Sequence, residues 1–129
     1  MRAIFITEVV FPSNLKTIGE GAFKNSGYLE SITIPDTVTS IGREAFYSCR
    51  GLLSVVIGSG VTEILPTAFL DCYSVSRIEI PVGVTTVGIS AFHSWKTDQT
   101  IVVPWSEGNR PTGWDRSWGM GCGAQIVYS

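Results

Sequence analysis

The chain has 129 residues, of which 44% are hydrophobic and 16% charged, and its formal net charge is -2. That is one domain's worth of material with ample apolar content for a core, so a folded unit is expected and disorder is not. No basic excess draws in nucleic acid or an anionic membrane surface, no run of ~18 apolar residues can span a bilayer, and Met1 to Phe11 lacks the layout of a cleavable signal.

Taken in order, residues 1–5 (MRAIF) match only the tail of a unit, with Ala3 where later copies carry Cys49 and Cys72. Ile6 opens the first full copy, ITEVVFPSNLKTIGEGAFKNSGY. Three more follow without a gap: LESITIPDTVTSIGREAFYSCRG from Leu29, LLSVVIGSGVTEILPTAFLDCYS from Leu52 and VSRIEIPVGVTTVGISAFHSWKT from Val75. Residues 6–97 are thus four 23-residue repeats, each with an Ala-Phe pair in the same place, from Ala22-Phe23 to Ala91-Phe92. A fixed period of this length predicts a solenoid. Terminal units usually carry a polar outer face, and Ile4, Phe5 and Ile6 form none. The expectation is therefore a portion of a longer array, with any signal peptide on the missing part. Its unpaired strand edge around Ile6 to Phe11 is expected to self-associate unless the first residues fold over it.

Within one copy, Leu29, Ile32 and Ile34 show the L-x-x-L-x-L spacing of a strand whose alternate residues face a core. Pro12, Pro35, Pro81 and Pro104 end the successive strands, and Gly58 stands at that position in the third copy. Val38 and Ile41, with their equivalents, point inward from a second short extended run rich in Thr. Gly19, Gly42 and Gly88 then turn the chain, and the Ala-Phe pair is expected on a single helical turn, with Pro66 at its first position. Phe23, Phe46, Phe69 and Phe92 should stack down the core. A fifth strand is expected at Ile101 to Val103. Residues 98–129 then form that strand and a Gly/Trp-rich cap, in which Trp95, Trp114 and Trp118 cover the last rung of the core.

The pattern I-x-I-P-x-x-V-x-x-I-G-x-x-A-F-x-x-C, met by Ile32 to Cys49, resembles the BspA-type leucine-rich repeat of bacterial surface proteins. The segment from Pro111 to Ser129 is similar to the tails that close such arrays. The fold class is then a leucine-rich repeat solenoid, mainly β with short helical turns, with a parallel concave sheet of about five strands. Gly58 in place of proline, Leu65 in place of glycine and Trp95 in place of cysteine depart from the pattern. What the resemblance implies is non-catalytic adhesion or protein binding at the cell surface or in secreted form.

Two ladders of outward positions on the concave sheet are the candidate ligand surface. Ser31, Ser54 and Arg77 lie in one; Thr33, Val56, Glu79 and Val102 lie in the other. Valines pointing to water hint at a contact patch, although strands favour β-branched residues on any face. Trp105, just past the fifth strand, is the candidate for an exposed aromatic that stacks on a sugar or a peptide. An extracellular or host protein is the expected partner, with a glycan or a ligand-free spacer role as alternatives. Catalytic motifs are lacking. His93 occupies a slot that tolerates any residue, Cys49 and Cys72 fall at buried equivalent positions, and Cys122 is left over in the tail. No cofactor is expected, and no metal, because the ligands are not clustered.

Overall fold

The computed structural model describes residues 8–129; the partial repeat of residues 1–5, with Ile6 and Thr7, lies outside the described residues. Ten short strands run through them: β1 (Glu8–Val9), β2 (Thr17–Ile18), β3 (Ser31–Ile34), β4 (Ser40–Ile41), β5 (Ser54–Ile57), β6 (Glu63–Ile64), β7 (Arg77–Glu79), β8 (Thr86–Val87), β9 (Thr100–Val103) and β10 (Gln125–Tyr128). All pairings are parallel, and successive rungs pair at the repeat interval, with Ser31 opposite Ser54 and Ile41 opposite Ile64. The chain is a β-solenoid of three walls. The front wall holds β1, β3 and β5 in one sheet and β7, β9 and β10 in another; the back wall holds β2, β4, β6 and β8.

Alternation decides which side chains fill the space between. Ile32, Ile34, Val55, Ile57, Ile78, Ile101 and Val103 point inward from the front and are buried, as are Ile18, Ile41, Ile64 and Val87 from the back. A rung alone cannot cover these groups, so each depends on its neighbour for burial. The Phe ladder forms as expected. Rings of Phe23, Phe46, Phe69 and Phe92 lie 5.4, 5.2 and 5.6 Å apart and within 7° of parallel.

The third wall carries the Ala-Phe pairs, and the described residues contain no helix. Ala45, Tyr47 and Cys49 donate backwards to Gly42, Glu44 and Phe46, closing three overlapping turns. The residues between them, Glu44, Phe46 and Ser48, donate instead to Pro66, Ala68 and Leu70 of the next rung at 3.3, 2.8 and 2.8 Å. This alternation requires left-handed residues at fixed places. Glu44, Ser48, Thr67, Asp71, Ser90 and Ser94 all have φ between 55 and 71°, which a helix excludes. The helical turn expected there is replaced by turns because bonding to the next rung consumes every second N–H. Pro66 accordingly sits second in the turn from Leu65 to Ala68, where its fixed φ suits the turn.

After Pro104 the solenoid continues for one irregular rung. Trp114 bridges Val87 on the back wall, and β10 pairs with β9, adding a sixth front strand to the expected five. Gln125 lies opposite Thr100 where a strict 23-residue interval would place Gly123. Trp95, Trp114 and Trp118 are buried, and Phe92 meets Trp95 and Trp118 edge-on at 5.2 and 6.0 Å.

Because Phe69 is fully buried between two stacked rings, Phe69→Ala should lower unfolding stability by roughly 3–5 kcal/mol. Urea denaturation followed by circular dichroism checks this; an unchanged midpoint would contradict a shared core.

Candidate functional site

The outward ladders of the front wall are built as the register requires. Ser31 stands beside Ser54 and Thr33 beside Val56, while Arg77 stands beside Thr100 and Glu79 beside Val102. Thr33, Ser54, Val56, Arg77 and Glu79 are exposed, whereas Ser31 and Val102 are half-buried. Val56, on the edge strand of its three-stranded sheet, is 53% exposed. Arg77 and Glu79 do not offer two separate charges: Nη2 of Arg77 lies 3.2 Å from Oε1 of Glu79 on the same strand. Both are well exposed, so this pair contributes at most about 1 kcal/mol to stability and is free to re-pair with a ligand.

The two ladders do not form one continuous surface, which the sequence did not reveal. No register joins β5 to β7, and the front sheet is split between them. A groove of about 470 Å³ lies along this seam, lined by Val55, Val56, Ile57, Ser59, Arg77, Glu79, Ile80 and Pro81. Three of the predicted residues, Val56, Arg77 and Glu79, thereby come together; Ser31 and Thr33 line a separate recess of about 250 Å³ with Val9 and Phe11.

Trp105 is elsewhere. Its ring packs against Trp114, Trp118 and Tyr128 at 5.4, 6.2 and 5.5 Å, half-buried at the C-terminal end. Its indole N–H is buried and has no acceptor among the described residues. The open platform expected of it is not there, because the irregular last rung folds against the strand end.

The groups with chemical potential are committed to structure. Sγ of Cys49 donates to the Phe23 carbonyl at 3.1 Å and Sγ of Cys72 to the Phe46 carbonyl at 3.0 Å. In the next rung Nε1 of Trp95 donates to Phe69 at 2.8 Å, so the departure from cysteine keeps the donor. Burial pushes the Cys72 thiol well above its ordinary range and raises Cys122 less. Nδ1 of His93 lies 2.8 Å from Ser94 Oγ. All three cysteines are free thiols. Among the described residues, no three His, Cys, Asp or Glu side chains gather as metal ligands, and no helix is long and apolar enough to cross a membrane. A lateral network that sequence reading missed joins Arg50 and Ser48 to Asp71 at 2.8 and 3.2 Å; the stacking interval was the signal for it.

Parallel strands, a repeating hydrophobic core and an exposed front face define a leucine-rich repeat solenoid. The chain belongs to the BspA type leucine rich repeat family, whose profile matches residues 2–107 in six copies. A leucine rich cell surface protein from Faecalibacterium prausnitzii A2-165 is similar in structure, with a TM-score of 0.80 and 30% identity over 95% of this chain and 32% of that one. The T. pallidum leucine rich repeat protein shares the fold at a TM-score of 0.72 and 23% identity, over 96% of this chain and 52% of that one. A leucine-rich repeat protein from Bacteroides ovatus ATCC 8483 shares it at 0.63 and 24% identity, over 78% and 30%. This chain therefore spans about a third of the first and about half of the second. Comparison with curated proteins gives no match.

In the native protein at neutral pH, iodoacetamide should label Cys122 slowly and leave Cys49 and Cys72 untouched until denaturant is added. Mass spectrometry of the labelled peptides reads this directly, and early labelling of Cys72 would contradict the buried donor ladder.

Proposed function

We propose that the chain is a non-catalytic binding module of a surface-displayed or secreted protein, and that it holds an extracellular protein partner on its concave sheet. The observation that carries this reading is the gathering of an exposed Val56 with Arg77 and Glu79 over one groove of the front wall. An apolar contact beside a re-pairable ion pair is the composition of a small interface centre with a polar rim. Support for surface display comes from the family and from the similar cell surface protein of Faecalibacterium prausnitzii. The glycan alternative has less support, because Trp105 spends its ring on Trp114, Trp118 and Tyr128. A ligand-free spacer is the remaining alternative.

The test is a screen of the purified chain against immobilised extracellular-matrix proteins and a glycan array. Val56→Asp and Glu79→Lys should each weaken a protein hit roughly tenfold or more, about 1.4 kcal/mol. Their melting temperatures should stay near that of the parent, since exposed positions rarely change stability by more than about 0.5 kcal/mol. A glycan hit lost with Trp105→Ala at unchanged melting would move the site to the C-terminal end. Silence from a folded sample in both arms would favour the spacer.

A further inference from the structure

The last strand of the front wall, β10, is an edge. Its inner side pairs with β9 over four residues, from Gln125 opposite Thr100 to Tyr128 opposite Val103, and among the described residues nothing pairs with its outer side. In a parallel ladder, alternate residues of a strand turn N–H and C=O to the same neighbour. Gln125 N–H donates to the Gln99 carbonyl at 2.9 Å. Gln125 and Val127 therefore serve β9, while Ile126 and Tyr128 turn their N–H and C=O outward. The far side of β9 agrees, since Thr100 donates to Ser76 and the Val102 carbonyl accepts from Ile80.

Exposed edges are usually blunted by a charge, a proline or a bulge. The sequence of β10 is Gln-Ile-Val-Tyr in unbroken register, which has none of these. Val127 and Tyr128 remain 41% and 39% exposed. A recess of about 450 Å³ beside the strand has Trp118, Met120, Cys122 and Ile126 in its lining, so the end is not sealed by a polar face as terminal units usually are. On the back wall the last contact comes one rung earlier, where Trp114 bridges Val87. The strand thus projects past the wall behind it.

We propose that β10 pairs antiparallel with β10 of a second copy, giving an end-to-end dimer about a two-fold axis. The choice of a second copy follows from the strand itself, because its two outward-bonding residues, one apart, match each other when a copy is reversed. Ile126 then exchanges two main-chain bonds with Tyr128 of the second copy and Tyr128 does the same with Ile126, while Val127 meets its counterpart on the axis. Faces agree as well: Ile126 and Tyr128 lie opposite the inward Ile101 and Val103, and Val127 lies opposite Val102. No charge on either strand opposes the pairing, and such an isologous contact closes on itself. The axis is normal to the front wall, so both copies present Val56, Arg77 and Glu79 on one side, where a partner with repeated epitopes engages two grooves at once. The pairing itself does not depend on that face being a binding site.

Sedimentation equilibrium should show the mass rising with concentration from 14.0 kDa towards twice that value. Val127→Lys and Val127→Glu each set like charges face to face on the axis, and each should weaken the dimer roughly tenfold or more. An equimolar mixture of the two should recover it. Both change an exposed side chain and leave the bonds from β10 to β9 in place. Should either variant fold poorly, amide hydrogen exchange on the parent chain decides: raising its concentration should slow Ile126 and Tyr128, with Gln125 and Val127 slow throughout. A chain that stays monomeric, a dimer indifferent to both substitutions, a mixture that recovers nothing, or concentration-dependent protection confined to other strands would each overturn the pairing.

Discussion

Hydrogen bonds between neighbouring rungs hold this chain together, because within a rung the backbone closes only isolated turns. Front and back strands bond sideways, and the turn wall does so with every second N–H, as from Phe46 to Ala68 and Phe69 to Ala91. No piece of secondary structure can form before two rungs meet. Left-handed residues such as Glu44 and Ser48 cost roughly 1–2 kcal/mol each outside glycine, and the bonds they permit to the next rung offset that cost. Stability is then a property of rung interfaces, and the chain gains it by repetition.

The same dependence explains a departure that at first looks like an irregularity. The Phe carbonyl of each rung accepts a side-chain donor from the next, supplied by Cys49, Cys72 and finally Trp95. A thiol is a weak donor that fits a narrow interior. Where the array loses its period, the indole supplies the same bond while filling space that Phe92 would leave open. Trp114 repeats the device on the back wall, donating from Nε1 to the Val84 carbonyl at 3.1 Å.

Most of the architecture was legible because it is written in side-chain alternation: Ile32 and Ile34 inward, Thr33 outward, Phe46 and Phe69 stacked. What escaped reading depends on backbone geometry that carries no residue signature. Glu44, Ser48, Thr67 and Asp71 adopt a glycine-like φ without being glycine, so the turn wall read as a helical turn. The last strand was hidden by a shift of interval that moved Ile126 opposite Ile101. Trp105 read as exposed from its place beyond a strand end, and only the fold of the following rung buries it against Trp114 and Trp118. Of the candidate surface, the residues were legible but their grouping was not. Gly58 was visible as a missing proline, yet which neighbour it would approach depends on distances between rungs.

Regularity and specificity are divided between the walls. Along the back, Oγ1 of Thr39, Thr62 and Thr85 reach the carbonyls of Lys16, Thr39 and Thr62 at 3.3, 3.2 and 3.5 Å, continuing the same contact from rung to rung. A solenoid identical on every face would offer a ligand the same surface at each step, with no reason to bind at one. Here the aromatic stack and the back wall keep their spacing where the front sheet is split between β5 and β7, so the break is local and not a general loosening.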